Sequence, residues 1–179
     1  MQALCVAWVL HLLLVRLWGM GHPAFFGVVA LLAATTPLAV YTGLLMPDVF
    51  AGLAVLAVAV LAVHWRRLAR PDRWLLAGLL LFALASHASH VALAGALLLL
   101  ALVLRLGLPG WQGLSLPALG VVGACIGAAI AAEWGFALAV TRAVGAPPLR
   151  LPHLTARLVD MGPGAHYLRA RCPPGEGPA

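Results

Sequence analysis

Between Trp74 and Leu104 the chain runs without a single formal charge, and apolar runs of the same kind recur along its length. That feature constrains the fold more than any other, because so much contiguous apolar side chain cannot be hidden inside a small globule in water. The composition agrees: 64% of the 179 residues are hydrophobic and only 9% charged, against about 25% charged in ordinary soluble domains. Mean hydropathy is +1.04. A water-soluble globule, a disordered chain and a nucleic-acid-binding tail are excluded, the last two because they need many solvated or basic residues. A β-barrel would show short alternating segments instead of long runs. The expected fold class is all-α, a polytopic transmembrane helix bundle with the lipid bilayer as its main partner.

The runs can be placed one by one. Ala3 to Trp18 is the first, broken by Gly19, Gly21 and Pro23. Lacking a basic start, and with Arg16 at the wrong end, it reads as a retained span and not as a signal peptide. Ala24 to Leu45 is the second, with Thr35, Thr36 and Pro37 in its middle. Threonine hydroxyls can satisfy carbonyls freed by a proline. Met46-Pro47-Asp48 reads as a tight turn, and Val49 to Val63 as the third run. His64 and Trp65 follow where amphipathic rings favour a membrane interface.

Trp74 to Leu106 as one helix would extend about 50 Å, against a hydrocarbon core of about 30 Å. It is interrupted by Ser86-His87-Ala88-Ser89-His90. Polar groups avoid lying alone in lipid, so a hairpin of two short helices is favoured over one long tilted helix. After a loop with Pro109, Gly110 and Gly113, the last run is Pro117 to Val140. Its Gly123 and Gly127, extended by Ala131, have the spacing that lets another helix approach closely, within this chain or in a dimer. The count is about six spans, or five if Trp74-Leu106 is one helix. Residues 1–145 form the transmembrane domain. Residues 146–179 form a Pro/Arg-rich extramembrane tail, expected to be amphipathic over 149–159 and disordered from Cys172.

The formal net charge is +6, from 11 basic and 5 acidic residues, and every basic residue is arginine. In a membrane protein such charge sets orientation, because Arg-rich short loops stay in the cytoplasm. Arg66, Arg67, Arg70 and Arg73, offset only by Asp72, therefore mark the inner side, and Asp48 and His87 the outer. The expected location is a bacterial inner membrane, multi-pass. No nucleic-acid partner follows from this charge. Cys5, Cys125 and Cys172 form no CxxC pair, so neither a disulfide framework nor a zinc site is indicated.

Ionisable groups in membrane spans are candidates for function. Glu133, deep in the last run, can carry a proton or serve as a ligand; alternatively it is a neutral acid bonded between helices. His87 and His90, three apart, share one helix face. They can bind a metal or a phosphate-bearing substrate, or act as acid and base; alternatively they are a polar turn satisfying two helix ends. Asp48 reaches the same membrane face and could complete a three-ligand site with them. His11 reads as a packed histidine. No Walker loop, GxSxG elbow, HExxH or dinucleotide glycine pattern occurs, and no cofactor is expected.

Two segments together resemble the polytopic GT-C-type glycosyltransferases, which use polyprenyl-phosphate sugar donors. In Thr36-Pro37 through Leu45-Met46-Pro47-Asp48-Val49-Phe50, a proline-broken helix leads to an aspartate opening the next span. In Arg73-Trp74 through Arg105, a short helix, a polar turn and a second apolar helix follow in order. In the family that turn often carries a basic residue near the active site; here it holds His87 and His90. The tail pieces Leu154 to Asp160, Gly162-Pro163-Gly164 and Tyr167-Leu168-Arg169 look like parts of uncharacterised bacterial multi-span proteins.

The resemblance implies a partner that is a polyprenyl-phosphate-linked sugar, with Asp48, His87 and His90 near the donor phosphate. The family's catalytic carboxylate lies in the first outer loop. No acidic residue precedes Asp48, so the expectation is a truncated piece, the middle portion of such a transferase, with that loop upstream of Met1. Two rivals stand beside it. One is a non-enzymatic membrane subunit that packs another subunit against Gly123 and Gly127. The other is a small metal- or proton-handling protein built on Asp48, His87, His90 and Glu133.

Overall fold

The computed structural model describes residues 2–43, 48–148 and 160–171. Among them the regular elements are all helical. They are α1 (Gln2–His11), running on into a π-helical stretch Leu12–Leu17, then α2 (His22–Thr35), α3 (Leu38–Gly43), α4 (Val49–His64), α5 (Arg70–Ser86), α6 (Ala88–Gly107), α7 (Leu116–Val144) and α8 (Pro163–Arg171). A short 3-10 turn, Pro109–Trp111, precedes α7.

Local chemistry sets the boundaries. Gly21 is extended before α2, with Pro23 in the first turn, where its missing N–H costs nothing. The second apolar run divides at Thr36-Pro37, where a single kinked span was expected. Thr36 takes an extended backbone (φ −128°, ψ 158°), as a residue before proline tends to. The Thr35 hydroxyl donates to the Leu31 carbonyl at 2.7 Å and the Thr36 hydroxyl to that of Leu32. The two threonines thus do what the run required of them, at a full break instead of a bend. Trp74–Leu106 is two helices: His87 is extended (φ −159°, ψ 132°) and separates α5 from α6.

Burial explains the packing. A helix that is apolar all round belongs in a core, and α4 is one. Phe50, Leu53, Ala54, Ala57, Val58, Val60, Leu61 and Ala62 are all buried on it. It packs against α1, α5 and α6, and α5 packs on α6. From α5 come Leu76, Leu80, Ala83 and Leu84; the first half of α7 adds Ala118, Val122, Cys125 and Ala129. Phe50 at the start of α4 meets Phe82 near the end of α5 edge-on, with centroids 5.0 Å apart. These two helices are therefore antiparallel. At the other end of α4, the Ser115 amide donates to the Ala62 carbonyl at 3.0 Å.

Two helices, Ala88–Gly107 and Leu116–Val144, are long and apolar enough to cross a membrane; Gln2–Leu17, His22–Thr35 and Val49–His64 are apolar but shorter. The chain divides into two compact units, Met1–Gly135 and Phe136–Ala179. The division falls inside α7, because its last buried side chain is Ala129. In the second unit, α8 covers part of the region expected as an extramembrane tail. The turn at Met46-Pro47, the amphipathic stretch 149–159, the motif Leu154 to Val159 and the segment from Cys172 lie outside the described residues.

Candidate functional site

The polar residues at the α5–α6 corner are organised by the helix ends they sit between. The His87 side chain caps α6: its Nδ1 accepts from the Ser89 amide at 3.2 Å and lies 2.8 Å from the Ser89 hydroxyl. His90 is turned inward and is 3% exposed. Its Nδ1 lies 2.8 Å from the Ala83 carbonyl oxygen. A carbonyl can only accept, so that nitrogen carries the hydrogen. The Ser86 hydroxyl donates to the same oxygen at 2.7 Å. Ala83 belongs to the last turn of α5, whose carbonyls have no helical partner. The two imidazoles are 5.4 Å apart and tilted by 37°. These bonds are those of a polar corner satisfying two helix ends; His87 is extended, outside α6 and exposed, while His90 is buried, so the two do not share a helix face as their spacing predicts.

Asp48 is exposed and lies just ahead of α4, where its side chain makes no capping bond. It lines an open cavity of about 550 Å³ whose walls include Leu10, Leu32, Leu38, Tyr41 and Leu53. Those walls come from α1, α2, α3 and α4, and neither histidine belongs to them. Among the described residues no group of three His, Cys, Asp or Glu is placed to hold a metal ion. The three-ligand site of Asp48 with His87 and His90 is therefore not formed. The physical reason is that His90 is committed to the Ala83 carbonyl while Asp48 opens onto the cavity. Glu133 lies on an exposed stretch of α7 beyond Ala129. His11 packs its ring against His22 and Phe25, with centroids 5.9 and 5.5 Å away.

Gly123 and Gly127 behave differently. A Cβ on Gly123 would touch Leu98 of α6 at 3.7 Å, an ordinary contact, so this glycine faces its own chain. A Cβ on Gly127 would meet nothing within 4 Å.

Two features escaped the sequence reading. Arg16 spans both carboxylate oxygens of Asp72 with one guanidinium nitrogen, at 2.9 and 3.1 Å. The aspartate is 6% exposed. These residues are 56 apart in sequence, and no local pattern links them. The second feature is a cavity of about 690 Å³ lined by Trp65, Arg66, Arg73, Arg105 and residues 112–117. No family model, curated protein or solved structure matches the chain.

Proposed function

We propose that the chain is a multi-pass inner-membrane protein of about six spans, forming the membrane region of a GT-C-like glycosyltransferase that receives a lipid-linked sugar in the Asp48 cavity. The observation that carries this reading is the cavity itself. Its walls are apolar over most of their area, which suits a long prenyl or acyl chain. Among the described residues, Asp48 and Tyr41 are those on its lining that carry polar side-chain groups. A carboxylate and a phenol are good partners for sugar hydroxyls. A carboxylate repels a phosphate, so the donor phosphate is assigned to the exposed His87 corner, at the same end of the antiparallel α4–α5 pair.

The span count draws on the six apolar runs and on their charge. Arg16, Asp72, Arg66, Arg73 and Arg105 gather at one end of the helices, as the positive-inside rule requires of an inner face. With 16 residues, α4 rises about 24 Å. It is short for a bilayer core of about 30 Å, and local thinning or flanking side chains make up the difference.

Gly52 provides the test. It lines the cavity, and a Cβ there meets nothing within 4 Å. Gly52→Leu therefore fills the cavity without disturbing the core. In detergent-purified protein, binding of a polyprenyl-phosphate sugar, followed by tryptophan fluorescence, is expected to weaken about tenfold or more, one lost good contact being worth about 1.4 kcal/mol per decade. Unchanged binding contradicts the reading.

A second reading, a membrane subunit without catalysis, is favoured by one observation: Gly127, Ile130 and Trp134 on α7 are exposed, and the space over Gly127 is empty. It predicts that Gly127→Leu disrupts a co-purifying complex while leaving the monomer folded.

A further inference from the structure

The arginine-lined cavity lies at the end of α4 opposite Asp48, and the proposed function does not use it. Three arginines, Arg66, Arg73 and Arg105, line it. Arg73 is held from two sides: its Nε donates to the Leu68 carbonyl at 3.1 Å, and its guanidinium carbon lies 4.7 Å from the centroid of the Trp65 ring. Arg105 donates to the carbonyls of Gln112 and Leu114. These partners are neutral, so they fix the two guanidiniums in place without cancelling their charge. Arg66 is exposed on the same lining. Among the described residues no carboxylate lines the cavity. The acidic residue next along the chain, Asp72, is engaged by Arg16. Ser115, Leu116 and Pro117 also line the cavity, which brings the start of the long helix α7 to it. Ser115 gives its amide to the Ala62 carbonyl and Pro117 has no N–H, so of these three only Leu116 has an amide to offer an anion.

We propose that this cavity binds a phosphate group, carried either by an anionic phospholipid headgroup or by a soluble phosphate. Two fixed guanidiniums, the exposed Arg66 and Ser115 suit an oxyanion with several acceptor oxygens. Arginine is the side chain best matched to such a group. The indole and the methylene stems of the arginines leave room for an apolar neighbour beside it, as a lipid would supply. Basic pockets between helices on the inner face take anionic headgroups in this way.

The test uses the full chain in neutral detergent. Retention of phosphatidylglycerol and of phosphatidylcholine is measured by native mass spectrometry, and binding of inorganic phosphate by calorimetry. The proposal expects phosphatidylglycerol to be held about tenfold more tightly than phosphatidylcholine, or inorganic phosphate to bind at millimolar concentration, a charge-assisted contact being the difference. Lipid retention that survives excess phosphate identifies the headgroup as the source; displacement identifies a soluble phosphate. Arg66→Gln together with Arg73→Gln is expected to lower the affinity about tenfold. Arg66→Gln alone is expected to lower it by less. Arg67→Gln, which removes the same charge from the same loop outside the cavity lining, is expected to leave it unchanged. Binding of neither anion overturns the proposal, and so does an equal loss in Arg67→Gln and Arg66→Gln.

Discussion

Asp72 is a carboxylate kept almost out of water by one partner. Arg16 has a side chain 57% exposed, so it gives up little hydration, while the aspartate gives up most of its own. The two halves of the pair are therefore unequal. Arg16→Gln strands a buried charge and is expected to destabilise by about 1–3 kcal/mol, the scale of an unsatisfied buried group. Asp72→Asn leaves an exposed arginine that water can solvate, and should cost less. The double variant should recover part of the Arg16→Gln loss. Thermal unfolding of the four proteins in one detergent closes the cycle; equal losses from the two single changes would show that the pair is not asymmetric. A similar contrast holds at the corner. His90 is buried on a backbone carbonyl and His87 is an exposed cap. His90→Ala is expected to lower the unfolding temperature more than His87→Ala, which removes a cap worth about 1 kcal/mol.

Elements were legible wherever a residue type forced a decision. The four polar side chains from Ser86 to His90 marked a break that the backbone makes, and Pro37 with two threonines before it marked a kink where the backbone makes a full break. What could not be read was which face of each helix is covered. Along α4 the apolar residues surround the axis, so no period singles out a side, and its place at the centre comes from packing against α1 and α6 as well as against α5, the next helix. The π-helical stretch Leu12–Leu17 left no trace either, since five leucine and valine residues and an arginine suit an α-helix equally well. The buried side of α4 can be probed by size. Ala57 is fully buried, so Ala57→Leu should overpack the core and cost about 1–3 kcal/mol. Gly78→Leu on α5 enters open space and is expected to be close to neutral. If the two changes had equal effects on detergent unfolding, α4 would not be the hub.

Within the unit Met1–Gly135, the arginines and the Asp48–histidine group lie at opposite ends of α4 and α5. One end holds Arg66, Arg73, Arg105 and the Arg16–Asp72 pair, and the other holds Asp48 and the histidine corner. The sequence carried this division in its charge pattern. It did not carry the cavities, because each is assembled from side chains on several helices. Nor did it show that Asp48 and His90 would be committed to different surroundings, since depth in a membrane says nothing about which way a side chain turns. If the chain is multi-pass as proposed, this polar axis stands across a membrane. Single cysteines in a background of Cys5→Ser, Cys125→Ser and Cys172→Ser measure it most directly, with a membrane-impermeant maleimide on intact cells. Ser89→Cys should label at once, and Arg67→Cys only after the membrane is opened. Labelling of both from the same side would mean that α5 does not cross, and would rule out the multi-pass topology.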